Sequence, residues 1–288
     1  MLNKIPGTEN IGRFLSAGDN LEEATGVLLG CPLDDTGSFR TGSRFAPAHL
    51  RMASVALEEY SIVANKDLRD ILFFDSGDLA LAPGDTEASL EKITEAVSYI
   101  LGLGKKPFIL GGEHTITHAA VRGCLSKYRE LTVLFLDAHA DMRPDYLGAS
   151  FSHASAAYYL RQLDGVDLYQ FGIRSADRDE LGSLPGKKIF LHSLHDPLTR
   201  MLPLLKDKPI YLSLDIDVVD PAFAPGVTAP EPGGVSSGEL LTIFPLLEGL
   251  KNNIVAFDLV EISPPYDSAE ITALLGAKII REALLTFL

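Results

Sequence analysis

Nearly uninterrupted apolar runs, each about six residues long, recur along the chain, separated by longer stretches whose apolar positions repeat with helical period. The runs are GVLLGC (26–31), DILFFD (70–75), PFILGG (107–112), TVLFLD (132–137), DLYQFG (167–172), KIFLHS (188–193), PIYLSLD (209–215) and IVAFDLV (254–260). Continuous rather than alternating apolar strands are those buried on both faces, as in a parallel sheet covered by helices. Between them, EASLEKITEAVSYILGLG places Leu90, Ile93, Val97, Ile100 and Leu101 on one face, with Gly102 or Gly104 closing the end. VSSGELLTIFPLLEGL opens with the Ser236/Glu239 spacing of a capping box, and AEITALLGAKIIREALLTFL is a third amphipathic helix. Repeated βα units predict one parallel α/β domain over residues 1–288, with 1–23 as an N-terminal extension; eight strands also permit a closed barrel.

Four of the runs end in acids or histidines. PFILGG leads into Glu113-His114, and TVLFLD into Asp137, His139 and Asp141. PIYLSL leads into Asp215 and Asp217, and IVAFDLV into Glu261. Ligands of open α/β sheets bind beyond the carboxyl ends of the strands, so His114, Asp137, His139, Asp141, Asp215 and Asp217 are expected to converge. In extended chain, residues i and i+2 face the same way, which pairs Asp137 with His139 and Asp215 with Asp217.

Unpaired buried charges are expensive, so such a cluster needs a counter-ion. Four carboxylates and two imidazoles are too many donors for one tetrahedral zinc and include no thiolate. They suit two divalent ions sharing carboxylates. Oxygen-rich ligation with imidazole favours manganese and leaves zinc, nickel, cobalt or iron open. Any one cluster alone could be a strand terminus or an acidic helix start; three in order are much harder to obtain by chance. His118, one turn after His114, is expected to pack on its helix, and His49, His192 and His195 to be structural. The glycines of GGEH are expected to serve a tight turn, and the proline- and glycine-rich stretch 220–237 to be a functional loop.

The net charge of −14 argues against nucleic acid or an anionic membrane as partner and mildly favours a cationic small molecule. Two cysteines without a CxxC pair fit a reducing cytoplasm. The opening MLNKIPGTENIGRF lacks the apolar core of a signal peptide, and no apolar run approaches a bilayer-spanning length.

GGEHT (111–115), DAHAD (137–141), SLDIDVVDP (213–221), the VEISPPYD region (260–267) and DTGSFRTGSRFAPAHLR (35–51) together resemble the ureohydrolase family of arginases and agmatinases. The resemblance runs from about residue 24 to the end. It implies a three-layer α/β/α fold with a single eight-stranded parallel sheet, a homotrimer or homohexamer, and a binuclear manganese (two Mn2+) site. It also implies that His114, Asp137, Asp141 and Asp215 hold one ion and that Asp137, His139, Asp215 and Asp217 hold the other. Asp141 would orient the nucleophile, Glu261 would pair with a guanidinium, and His153 would carry a proton to the leaving amine.

The loop MRPDYLGASFSHAS lacks the Asn and SGN elements by which arginases grip an amino acid and looks like the agmatinase loop, as does PEPGG (230–234). Agmatine, cleaved to putrescine and urea, is therefore the leading small cationic guanidino substrate. The family's TGTP segment is replaced by Val227-Thr228-Ala229-Pro230, which removes one possible hydroxyl contact and leaves guanidinobutyrate, guanidinopropionate, guanidine or arginine open. Arg143 would favour the guanidino acids if free, and a salt bridge to Asp145 is expected to occupy it. A single-zinc deacetylase of related fold is disfavoured by the six ligands. A catalytically silent metal-binding protein is disfavoured by the presence of His153 and Glu261.

Overall fold

The run 26–31 is buried throughout, yet its side chains part ways: Leu28 joins one core cluster, while Val27, Leu29 and Cys31 join another. The same split separates Leu134 and Leu136 from Val133 and Phe135. Successive strand residues point to opposite faces, so two cores on alternate residues mean one sheet with a layer on each side. The computed structural model, which describes residues 4–9, 12–183 and 188–288, has that sheet. Residues 1–3, 10 and 11 of the expected N-terminal extension lie outside the described residues.

The strands are β1 (Thr8–Glu9), β2 (Gly26–Cys31), β3 (Tyr60–Ser61), β4 (Lys66–Asp67), β5 (Phe73–Leu79) and β6 (Lys106–Gly111). They continue with β7 (Leu131–Leu136), β8 (Val166–Ile173), β9 (Ile189–Leu191), β10 (Ile210–Asp215) and β11 (Ile254–Val260). β3 and β4 form a separate hairpin; the others order as β1-β5-β2-β6-β11-β10-β7-β8-β9. Eight of these nine are parallel, as expected, and β1 adds an antiparallel edge against β5 that two residues were too short to announce. With β1 and β9 at opposite edges the sheet is open, which excludes the barrel.

The helices are α1 (Ala46–Ser54), α2 (Thr86–Gly102), α3 (Ile116–Leu125), α4 (Ala156–Leu160), α5 (Arg178–Ser183), α6 (His195–Leu205), α7 (Ser237–Leu241), α8 (Ile243–Leu247) and α9 (Ile271–Phe287). α2, α3 and α4 cover one face; α1, α6, α7, α8 and α9 cover the other, giving three α/β/α layers. Both halves of the Ser236/Glu239 capping box are present. The expected single helix behind it divides into α7 and α8, because Pro245 has no N–H to offer the Leu241 carbonyl.

One strand is displaced from its expected place. The run 70–75 predicts a strand ending at Asp75, whereas β5 starts at Phe73 and continues through Asp75 and Asp78. The buried Arg51 makes this tolerable: its guanidinium grips Asp75 with two bonds of 2.8 Å and Asp78 with one of 2.6 Å.

The topology sets where chemistry is placed. From β6 the chain passes through α3 to β7, leaving two positions that β10 and β11 fill later. The four adjacent strands β6, β11, β10 and β7 therefore release their C-terminal loops at one place, and these loops carry the candidate residues.

Candidate active site

Gly112 decides how closely these loops approach. Its N–H donates to the Cys31 carbonyl and its own carbonyl accepts from Glu261 N–H, both at 2.9 Å. A Cβ there would stand 1.9 Å from the Leu33 carbonyl oxygen. The glycine serves close approach of three strand ends rather than the expected tight turn. His114 follows on a ring stacked against Phe135, with centroids 4.2 Å apart.

His114 Nδ1 lies 3.0 Å from Asp137 Oδ2, 3.2 Å from Asp215 Oδ2 and 3.5 Å from Asp141 Oδ2. His139 Nδ1 lies 2.8 Å from Asp217 Oδ2 and 3.6 Å from Asp137 Oδ1. Donor atoms of His114, Asp137 and Asp141 thus form one compact group, and those of Asp137, His139 and Asp217 another, with Asp137 in both. All six expected ligands meet. Neither pair meets as an extended i, i+2 pair, however. The chain bends at Ala138, where the Asp137 carboxylate accepts from His139 N–H, and residues 216–218 turn as a 3₁₀ helix capped by the Asp215 carboxylate, which accepts from Asp217 N–H at 2.8 Å. The turn, not the strand, brings Asp217 round.

The donor set fits divalent ions. His114 Nδ1 and Asp137 Oδ2 are buried with no partner in hydrogen-bonding direction among the described residues, although carboxylates surround the ring nitrogen. Such orphaned, converging acceptors are what a cation satisfies. Protons otherwise carry that burden: burial and neighbouring carboxylates push Asp141 and Asp215 upward. Burial works against a charged His139, yet Asp217 and Asp137 raise it to about 12. Ion binding must displace such protons.

Behind His114 stands a buried network that the sequence reading missed. His114 Nε2 is 2.9 Å from Ser213 Oγ, which donates to Asp258 Oδ1 at 2.7 Å; Thr117 and Tyr211 donate to Asp258 Oδ2. The Nε2 contact leaves Nδ1 facing the carboxylates. Its signal was visible: Asp258 interrupts the apolar run IVAFDLV, where an unsupported charge would be costly.

Glu261 is buried, its carboxylate accepting from the Thr228 hydroxyl and from His114 N–H. Burial raises its pKa to about 8. Within Val227–Pro230 the Thr228 hydroxyl meets Glu261, while Ala229 lines the cavity without a hydroxyl. Both Asp141 and Glu261 adopt left-handed backbone, with φ of 50° and 67°, an uncommon conformation for acids that clusters at functional sites. His153 lies between Thr36 and Ser38, and burial lowers its pKa to about 4. His139, Asp141, His153, Asp215, Asp217 and Glu261 line one cavity of about 300 Å³, which also reaches Arg143, Tyr146, Asp177 and Glu180. The carboxylate that meets Arg143 is Glu180, at 3.7 Å, rather than Asp145.

A profile of the Arginase family matches residues 24–286. The chain belongs to the arginase family. It is 41% identical over 277 residues to the agmatinase of Bacillus subtilis (strain 168), covering 95% of this chain and 96% of that one. The agmatine ureohydrolase of Thermoplasma volcanium has a similar structure, with a TM-score of 0.84, 32% identity, and coverage of 100% of this chain and 94% of that one. The proclavaminate amidino hydrolase of Streptomyces clavuligerus gives a TM-score of 0.85, 30% identity and 98% coverage of both chains. Family membership implies a binuclear divalent metal site, in agreement with the two donor groups.

His118 stands outside this cluster, as do His49, His192 and His195. It packs beyond its own helix, with Phe151 at 5.6 Å and Tyr159 at 5.8 Å between centroids, and burial lowers its pKa to about 4. A histidine whose native pKa lies below the ordinary value of about 6.5 loses stability as pH falls from 6.5 toward 4, since the unfolded chain takes the proton first. His118→Phe keeps the stack and removes the titration. Between pH 7 and pH 5 the variant is expected to lose about 2 kcal/mol less than the parent in urea unfolding at fixed metal concentration. Equal losses would mean that His118 is not held neutral.

Proposed function

We propose that this chain hydrolyses agmatine to putrescine and urea, with manganese as its metal. The observation that carries the reading is the buried Glu261 carboxylate, which lines one cavity with His153 and with four of the six metal donors, His139, Asp141, Asp215 and Asp217. When bound, the two ions supply the Lewis acidity that makes water nucleophilic near neutral pH. His114, Asp137, Asp141 and Asp215 would hold one ion, and Asp137, His139, Asp215 and Asp217 would hold the other.

Asp141 faces the cavity and orients the attacking water. Glu261 takes the planar guanidinium, whose charge favours the ionised form of a carboxylate that burial otherwise protonates. His153, neutral at rest, collects the proton shed by the water and delivers it to the departing amine.

The far end of the cavity supports a diamine-like substrate. Arg143 is engaged by Glu180 and lies over the Tyr146 ring, with its guanidinium carbon 4.7 Å from the centroid. With Glu180 engaged by Arg143, Met142 N–H and Asp177 N–H, the carboxylate lining that end is Asp177, which suits an ammonium better than the carboxylate of a guanidino acid. A single domain, a homotrimer or homohexamer, and a cytoplasmic setting complete the proposal. The exposed Met52, Val55, Ile62 and Val63 support self-association, and the buried thiols Cys31 and Cys124 support the reducing compartment. Among the described residues no helix is long and apolar enough to cross a membrane.

The test is urea release by the manganese-loaded protein from agmatine, arginine, guanidinobutyrate and guanidine. A preference for agmatine in kcat/KM of about 100-fold or more over arginine is expected. Preference for guanidinobutyrate would move the substrate, and no urea from any of them would overturn the reaction.

A further inference from the structure

The loop after β2 carries two hydroxyls to His153 across more than a hundred residues of sequence. Thr36 Oγ1 accepts the His153 backbone N–H at 3.0 Å and lies 3.2 Å from ring Nδ1. Ser38 Oγ lies 3.2 Å from ring Nε2 and lines the cavity. Thr36 is itself fixed, because its backbone N–H donates at 2.8 Å to Glu113 Oε2, on a side chain only 1% exposed. Glu113 immediately precedes His114, so this carboxylate ties the loop to the floor of the site.

We propose that Thr36, anchored by Glu113, is the positioning residue for His153: its hydroxyl holds the proton on Nδ1 and leaves Nε2 to work in the cavity. The proposal rests on the reading of His153 as proton carrier. A threonine oxygen has two lone pairs, enough to accept both the backbone N–H and an Nδ1–H. With Nδ1 protonated, the Nε2 lone pair faces the cavity and accepts from the Ser38 hydroxyl at rest.

The proton balance follows. Nε2 takes a proton from the attacking water, giving an imidazolium with both nitrogens protonated. As the C–N bond breaks and its electrons pass to the amine nitrogen, Nε2–H transfers its proton there; the proton left on the attacking oxygen follows, so urea leaves neutral and the amine leaves as an ammonium that carries the guanidinium's charge. The ring returns to the neutral Nδ1–H form. Through the whole cycle Nδ1–H stays on Thr36 Oγ1, so the ring need not turn between its two tasks. Ser38 is exposed and holds Nε2 only until substrate displaces it.

The experiment compares Thr36→Val, Thr36→Ala, Thr36→Ser, His153→Ala and the double variant Thr36→Val/His153→Ala, all manganese-loaded, with metal content measured for each. Loss of the anchor is expected to lower kcat about 10-fold, the worth of one well-placed hydrogen bond, with KM changed less than about twofold. Thr36→Ser, which keeps the hydroxyl, is expected to retain most of the rate, and the double variant to be no slower than His153→Ala. Parental kcat in Thr36→Val and Thr36→Ala would overturn the proposal. A Thr36→Ser variant as slow as Thr36→Val would also do so, because the methyl would then be what matters, and so would independent, multiplying losses in the double variant. Parental kcat in His153→Ala would instead remove the proton-carrier reading beneath it.

Discussion

Asp137→Asn is expected to lower turnover on the order of 10³-fold and to reduce bound metal below two ions per chain. The carboxylate is fully buried and belongs to both donor groups, with Oδ2 3.0 Å from His114 Nδ1 and Oδ1 3.6 Å from His139 Nδ1. Asparagine has nearly the same shape, so the packing stays. What changes is one negative charge and one oxygen, at the point where both ions need them. The amide also turns an N–H₂ toward cations that require an acceptor. Turnover and metal content should therefore fall together, measured as urea release and elemental analysis of the same sample. Two ions per chain with an unimpaired rate would take Asp137 out of the metal site.

Glu261→Gln is expected to separate those two readouts. The variant should keep both ions and lose about 10²- to 10³-fold in kcat/KM, the cost of leaving a buried charge without its counter-charge. Glu261 donates nothing to the two donor groups. Its oxygens accept from Thr228 and from His114 N–H, and the remaining acceptor capacity faces the cavity. Glutamine cannot keep both acceptor oxygens, so one of these contacts or the guanidinium contact is given up. Loss of metal in this variant would recast Glu261 as a support for the His114 loop rather than a partner for the substrate.

Most of the site could be read in advance because its residues are bound to strand ends in short, punctuated motifs. Asp137 follows β7 directly, Asp215 closes β10, and Glu261 follows β11. A buried strand tolerates such an acid only at its mouth, which makes the acid visible against the apolar run. The elements that escaped lacked this contrast. Asp75 resembled a strand end because an isolated acid normally is one, and only the folded chain places Arg51 against it. Thr36 and Ser38 belong to a loop whose composition is ordinary; their meaning comes from His153, 117 and 115 residues away. Thr228 stands beside the position where a hydroxyl is lacking, and only the folded chain shows its own hydroxyl meeting Glu261.

By itself the order of apolar runs and acidic strand ends determined a parallel α/β sheet and a convergence of acids and histidines suited to divalent ions. Both follow from local rules: burial on two faces makes a strand uniformly apolar, and a charge in such a chain must have a counter-charge. Only the tertiary structure decided the strand order that lets β10 and β11 enter between β6 and β7. It alone set the 3₁₀ turn that swings Asp217 inward, and the engagement of Arg143 by Glu180. These depend on contacts between distant segments, and a hydrogen bond or ion pair across the chain leaves no period or spacing in the sequence on either side of it.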